Sequence, residues 1–213
     1  MLRTLLTILA LAFGGQSAVG HASNLPPDVL ARTTTQEVLA VLKQDRDIQA
    51  GDLNKIHQLV EAKILPNFDF NRMTQLAVGR NWARATPQQK QVLVAEFRNL
   101  LVRTYAGALT AFSTQTVEFE PLTLRPGDED VTVRSKIRQA GGQPPLAIDY
   151  SMYKTSFGWK VYDVSIDGVS LVTNYRATFA STVRQSGIDG LIRNLRAQSA
   201  RADAPRPAAR GGT

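Results

Sequence analysis

Two hydrophobic periods divide this chain, and the change from one to the other falls near Thr114. Before it, apolar residues return every three or four positions, the spacing of a helix with one buried face; after it they alternate with polar ones, as in a half-buried strand. In the helical half, Leu30, Val38, Val41 and Leu42 predict a helix over about Val29 to Gln44, entered through the stiff Leu25-Pro26-Pro27-Asp28 and broken over Asp45 to Gly51. Asp52 caps a second helix, in which Leu53, Ile56, Val60 and Ile64 keep helical spacing until Pro66 stops it. A third, over about Asp69 to Val78, turns Met73 and Leu76 inward. Thr86-Pro87-Gln88-Gln89 joins an N-cap, a proline at the first helical position and a capping-box glutamine, and opens the longest helix, to about Phe112. Its stripe through Phe97, Leu101, Tyr105, Leu109 and Phe112 is wide enough to pack on a sheet or wall a cavity.

In the second half, Val117 and Phe119 alternate with Glu118 and Glu120, and Val131, Val133 and Ile137 with Thr132, Arg134 and Arg138. Arg125 to Asp130 and Ala140 to Gln143 read as turns, a third strand places Leu146, Ile148, Tyr150 and Met152 on one face, and a fourth starts at Trp159. That strand, with Tyr162, Val164 and Ile166 on one face, turns at Asp167-Gly168 and passes at once into a helix marked by Val172, Tyr175, Phe179 and Val183. Ser186-Gly187 ends it, and Ile188, Leu191, Ile192 and Leu195 define a last short helix. The expectation is an α+β fold: a four-stranded antiparallel sheet packed with about six to seven helices.

The N-terminus changes the compartment. Arg3, the apolar run Leu5 to Phe13 and then Gly20-His21-Ala22 have the three parts of a secretory signal peptide, with cleavage expected after Ala22. The run is shorter than the ~20 apolar residues a bilayer span needs. Without any cysteine there is neither a lipid-anchoring residue nor a disulfide framework. For a bacterial protein this predicts free residence in the periplasm. Three segments follow: signal peptide 1–22, one domain 23–196, and a basic Ala/Arg/Pro tail 197–213 expected to be disordered. Loss of Arg3 lowers the formal charge from +7 to +6 over 191 residues. An exported chain seldom meets nucleic acid, so membrane headgroups are the better anionic partner for this surplus, part of which sits in the tail.

Sites for catalysis are scarce. After removal of the signal His57 is the sole histidine, and with no cysteine it lacks the companions of a common zinc site. Gly168-Val169-Ser170-Leu171-Val172 lacks the final glycine of a nucleophile elbow, so Ser170 reads as a helix cap. Asp128-Glu129-Asp130 lacks the spaced oxygens of a calcium loop and reads as a solvated hairpin tip. No phosphate-cradling glycine loop is present. The sequence thus predicts no enzyme, no cofactor and no metal.

Gly168-Val169-Ser170-Leu171-Val172 with Asn174-Tyr175-Arg176, Arg80-Asn81-Trp82 before Pro87-Gln88-Gln89, Leu101 with Thr104-Tyr105, and Gly187 with Leu191-Ile192 together resemble the MlaC-type (toluene-tolerance auxiliary) family of periplasmic phospholipid carriers, from about Val29 to Leu195. The resemblance implies a strongly twisted sheet and surrounding helices enclosing an apolar cavity for acyl chains, with the headgroup outside. It also implies a monomer that shuttles phospholipid between outer and inner membranes, maintaining outer-membrane lipid asymmetry. Its partners would be an outer-membrane lipoprotein complex and an inner-membrane ABC transporter complex with an MCE-domain protein. The residues expected to line the cavity are Tyr105, Leu109, Val133, Ile148, Tyr150, Met152, Val164, Ile166, Val172, Tyr175 and Phe179, several of them expected to prove core. Arg176 is the candidate for neutralising a headgroup phosphate, beside the alternative of a structural ion pair. Two other readings stay open: an exported small-molecule enzyme using Asp149 or Asp163, and a structural adaptor whose apolar faces are packed shut.

Overall fold

The protein was analysed as a computed structural model, which describes residues 25–202. The proposed cleavage site and most of the tail lie outside the described residues. Helix α1 (Pro27–Gln44) starts with prolines at its first turn, where no amide is needed. Asp45 ends it and caps the one-turn α2 (Arg46–Gln49), accepting from the amides of Asp47 and Ile48 at 2.9 and 3.2 Å. Four residues carry no readable period, so the sequence reading of a plain break missed this turn. Asp52 caps α3 (Leu53–Leu59), which widens into a π-helical turn at Val60–Ile64 before Leu65–Asn67 tightens to 3₁₀. Asp69 caps α4 (Phe70–Val78), and a 3₁₀ segment, Gly79–Arg84, leads to α5 (Pro87–Tyr105), where the Thr86/Gln89 capping box forms in both directions. The helix expected to reach Phe112 instead tightens to 3₁₀ over Ala106–Phe112.

One antiparallel sheet follows, in the order β1 (Thr116–Phe119), β2 (Asp130–Arg138), β3 (Leu146–Thr155), β4 (Gly158–Ile166) and β5 (Val169–Ser170). It has five strands, where four were expected, because β5 is two residues long and too short to show alternation. Asp167 and Gly168 both take positive φ (47° and 79°), the pairing of a tight hairpin whose twist matches its strands, and this sets Ile166 opposite Val169.

Helix α6 (Leu171–Ala202) leaves β5 directly and is broken by non-helical geometry at Gly187 (φ 69°, ψ −175°), so the expected pair of helices is present. Its second part continues to Ala202, past the Leu195 at which the sequence placed its last apolar position, and Ser199 in it is buried.

Register places Val133 opposite Tyr150 and Tyr150 opposite Val164, with Ile148 opposite Ile166 in the next row. Between Ser151 and Met152 the register slips by one, so Met152 pairs with Val161 and not with Tyr162. That bulge corrects the expected alternation: Tyr162 leaves the face of Val164 and Ile166 and packs against Tyr153 and the helical core. Helix α1 lies against β1 and β2, and α4 and α6 lie against β4.

The buried residues form three clusters. One joins α4, α5 and α6 around Phe97, Phe179 and Leu191; a second joins α1, α2 and α3 around Leu42 and Ile56; a third sets Leu30 on Val133, Met152, Trp159 and Val161 of the sheet. Full burial of one such side chain contributes about 1.5–3 kcal/mol.

Candidate functional site

The eleven residues expected to line a cavity fall on all three clusters and between them. Tyr105, Val172, Tyr175 and Phe179 belong to the α4–α6 cluster, Leu109 flanks the α1–α3 cluster, and Val133, Tyr150, Met152 and Val164 belong to the sheet cluster. Val133 and Met152 are 0% exposed, Phe179 1% and Val172 2%, so protein surrounds these four on every side. Ile148 and Ile166, facing each other across β3 and β4, are half-buried and belong to none of the clusters. Leu146 beside them is in the same position. These three large side chains of the sheet thus lie outside the described clusters while remaining partly covered.

Aromatic rings pack within two of the clusters. Phe97, Tyr175 and Phe179 meet edge to face or tilted at 5.1 to 5.4 Å, and Phe119 stacks on Tyr150 at 6.4 Å and has the Arg32 guanidinium 5.2 Å from its ring centre. Burial and then the neighbouring Tyr105, with which it shares a hydrogen bond, push the Tyr175 phenol up to about 12. Burial likewise pushes the Tyr150 phenol up, opposed by hydrogen bonds with Ser135 and Thr35. Both hydroxyls thus have the partners that buried phenols require.

The opposite sheet face holds a polar network that the sequence reading missed. Arg72 lies 3.9 Å from the ring centre of Tyr153 and 4.4 Å from that of Tyr162, and pairs with Asp130 at 3.3 Å. The Tyr162 hydroxyl donates to Asp130 at 2.8 Å, and that of Tyr153 donates to Asp69, the cap of α4. Burial first, then the facing carboxylate, raises both phenols. Asp130 is accordingly part of a clamp between α4 and the sheet, not simply of a solvated turn. No short-range signal joins residues 69, 72, 130, 153 and 162.

The two expected acids of an enzyme reading have different fates. Asp163 accepts from the amides of Val164 (2.8 Å) and Val172 (3.1 Å) and from the Ser170 hydroxyl, while Ser170 caps Thr173 at 3.0 Å as expected. Asp163 thereby ties β4 to the start of α6, and Asp149 stays in the sheet opposite Arg134 and Ser165.

Two surface clefts stand out among the described residues, and neither is the expected apolar cavity between sheet and helices. One, about 420 Å³, is polar and runs between α3 and α5, lined by Leu53, His57, Glu61, Asn99 and Arg103. The other, about 550 Å³, runs between α4 and α6, lined by Leu76, Val78, Gly79, Arg80, Asn81 and Arg176. Of the expected residues only Arg176 lines either. Its Nε donates to the Leu76 carbonyl at 2.9 Å, and its stem crosses Gly79, whose φ of 60° and ψ of −138° only glycine adopts without strain.

Comparison with known proteins agrees with this layout. A model of the MlaC protein family matches residues 32–197. The intermembrane phospholipid transport system binding protein MlaC of Haemophilus influenzae is 25% identical over 195 residues, 90% of each chain. The toluene tolerance protein ttg2D of Pseudomonas putida is 25% identical over 169 residues, 79% of this chain and 77% of that protein. A solved phospholipid-binding protein from Ralstonia solanacearum, in complex with a phospholipid, superposes with a TM-score of 0.79 at 40% identity, covering 84% of this chain and all of that one.

Proposed function

This chain belongs to the MlaC protein family, and from that premise we propose that it is a periplasmic phospholipid carrier that takes up lipid by its acyl chains and moves it between the outer and inner membranes. The observation that carries the reading is the phospholipid complex of the Ralstonia protein, whose fold this chain shares over 84% of its length. The half-buried Leu146, Ile148 and Ile166, which join none of the three clusters, support it as apolar side chains free of the packed core that a hydrocarbon tail would cover.

Two acyl chains hold about 30 methylenes, and at about 0.8 kcal/mol each their exposure to water costs on the order of 25 kcal/mol. Monomeric lipid therefore does not cross the aqueous space unaided. A carrier needs an interior about as good as the bilayer, so that transfer during docking is nearly balanced and no nucleotide site is required in the carrier. Tails enter by parting the sheet cluster from the α4–α6 cluster. The half-buried Tyr105, Tyr150, Val164, Ile166, Tyr175 and Leu109 then line the opening, and Val133, Met152, Val172 and Phe179 serve as its floor. The headgroup stays outside, which leaves selectivity among phospholipids broad. The family's partners, an ABC transporter complex with an MCE-domain protein and an outer-membrane lipoprotein complex, are the donor and acceptor this reading calls for. No catalytic step is assigned to the chain.

Organic extraction of the protein purified from its native compartment, followed by mass spectrometry, should recover phospholipid in a fixed proportion to protein. Protein that is repeatedly lipid-free and takes up none from phospholipid vesicles would overturn the proposal.

A further inference from the structure

The positive charge of this protein is not spread over it. Residues 79–96 and 171–202 carry eight arginines and lysines against two acids, Glu96 and Asp189, a net of +6; the other described residues carry fourteen against fifteen, a net of −1. These two segments are distant in sequence yet lie together, because α6 packs along α5, α4 and the 3₁₀ segment 79–84. Among the described residues Arg196 is paired with Glu96 at 2.8 Å, and Lys90 sits 5.4 Å from the Trp82 ring. Arg80, Arg84, Arg184 and Arg193 have no acidic partner within ion-pair distance among the described residues. The 550 Å³ cleft draws Arg80 from the first of these segments and Arg176 and Ala180 from the second.

We infer that the α4/α6 face is a docking surface for an acidic protein partner, with the cleft receiving a carboxylate-bearing projection of that partner. The inference deepens the carrier reading by naming where a donor or acceptor complex is engaged. Three observations select the occupant. The large exposed apolar side chains, Val29, Leu53, Leu124, Phe157 and Val169, all lie outside the two basic segments, so the face has no wedge for a bilayer. The surface is a cleft walled by Leu76, Val78 and Ala180 with arginine at its rim, a shape that fits a side chain on a protein better than a flat sheet of headgroups. The rest of a second copy carries a net charge of only −1, so it offers no acidic excess to match the +6 of these segments. Arginine is the suitable cation here because its planar fork grips a carboxylate through two parallel bonds. The Leu76 carbonyl holds Arg176 by Nε and leaves its terminal nitrogens for such a grip.

The test uses the full mature chain and a short fluorescein-labelled poly-L-glutamate as the acidic polypeptide, with fluorescence anisotropy as the readout. Binding should weaken with salt, and R80E/R193E should weaken it by about tenfold or more, whereas K43E/R46E, an equal charge change on α1 and α2, should leave it within about twofold. Circular dichroism checks folding, and R84E/R184E repeats the measurement should the first pair unfold. Equal loss in the control, or no binding by the wild type, overturns the inference. So does stronger binding to phosphatidylglycerol-containing vesicles that the same arginine reversals abolish, which would make the occupant a membrane. Lipid content measured on each variant keeps the two proposals apart: lipid-free wild type sinks the carrier reading, while unchanged lipid with lost poly-glutamate binding supports the docking face alone.

Discussion

Tyr175 shows how a residue read as a lining candidate acquires measurable chemistry only from its neighbours. Its helical spacing placed it on the buried stripe, but the partner that shares its hydroxyl, Tyr105, comes from the end of another helix. With its phenol held near 12, the folded state keeps a proton that the unfolded chain releases near 10. Between those values the folded form binds more protons, so stability is fully present below pH 10 and declines as pH rises toward 12. Tyr150, Tyr153 and Tyr162 are raised as well and act in the same direction. Denaturant unfolding at a series of pH values above 9 should show this decline, shallower in Tyr175→Phe; a flat profile, or one that the variant reproduces, would contradict it. Arg176 makes the complementary point. Read as a headgroup ligand or an ion pair, it is pinned to a backbone carbonyl and lines a cleft on the helical side.

At the scale of elements, caps were the most legible features, because a cap is a local bond between residues a few positions apart. The Thr86/Gln89 box and the Asp52 cap form as read from the sequence. Asp163 is a cap of another kind, since it reaches from β4 across a hairpin to the first turn of α6. Its removal leaves the Val172 amide and the Ser170 hydroxyl without their acceptor in a half-buried place, whereas the Thr86 cap is exposed and water substitutes for it. Thr86→Ala should therefore cost about 1 kcal/mol, and Asp163→Ala more, about 2 kcal/mol or above. Urea unfolding of the two variants decides this, and a smaller loss for Asp163→Ala would refute the assignment. The elements that were missed share one physical reason: α2 and β5 span only about one period of their own pattern, too little for a repeat to show. The slip at Ser151/Met152 was invisible for another: a bulge depends on how two strands meet.

For the whole molecule, division of the apolar residues into three clusters has a thermodynamic consequence. A phospholipid held between them, as proposed, would bind the folded state alone and stabilise it by mass action, about 4 kcal/mol at a thousandfold excess over its dissociation constant. For a chain of this size each kcal/mol moves the melting temperature by roughly 2–4 °C. Calorimetry should thus find the lipid-loaded protein several degrees more stable than protein stripped by solvent extraction and refolded, with recovery on return of phospholipid. Identical melting curves would mean that tails make no use of Ile148 and Ile166. The charge division is also a property of the whole molecule. Composition alone suggested a surplus partly in the tail, but the +6 of residues 79–96 and 171–202 becomes one face only when α6 packs back along α5.

The α+β class, the sheet's antiparallel order, most helix ends and the break at Gly187 were all determined by the sequence itself. Each follows from interactions within a turn or between neighbouring positions, and hydrophobic period and capping chemistry report such interactions directly. Motifs spread along the chain also carried the family. Tertiary structure alone decided which apolar side chains are sealed in a cluster and which stay half-buried outside one, that Tyr162 crosses to the other face, and that Arg72 and Asp130 join α4 to the sheet. Those outcomes depend on pairs of residues brought together by folding across tens of positions, and a one-dimensional pattern of apolar and polar residues holds no record of which distant surfaces will meet.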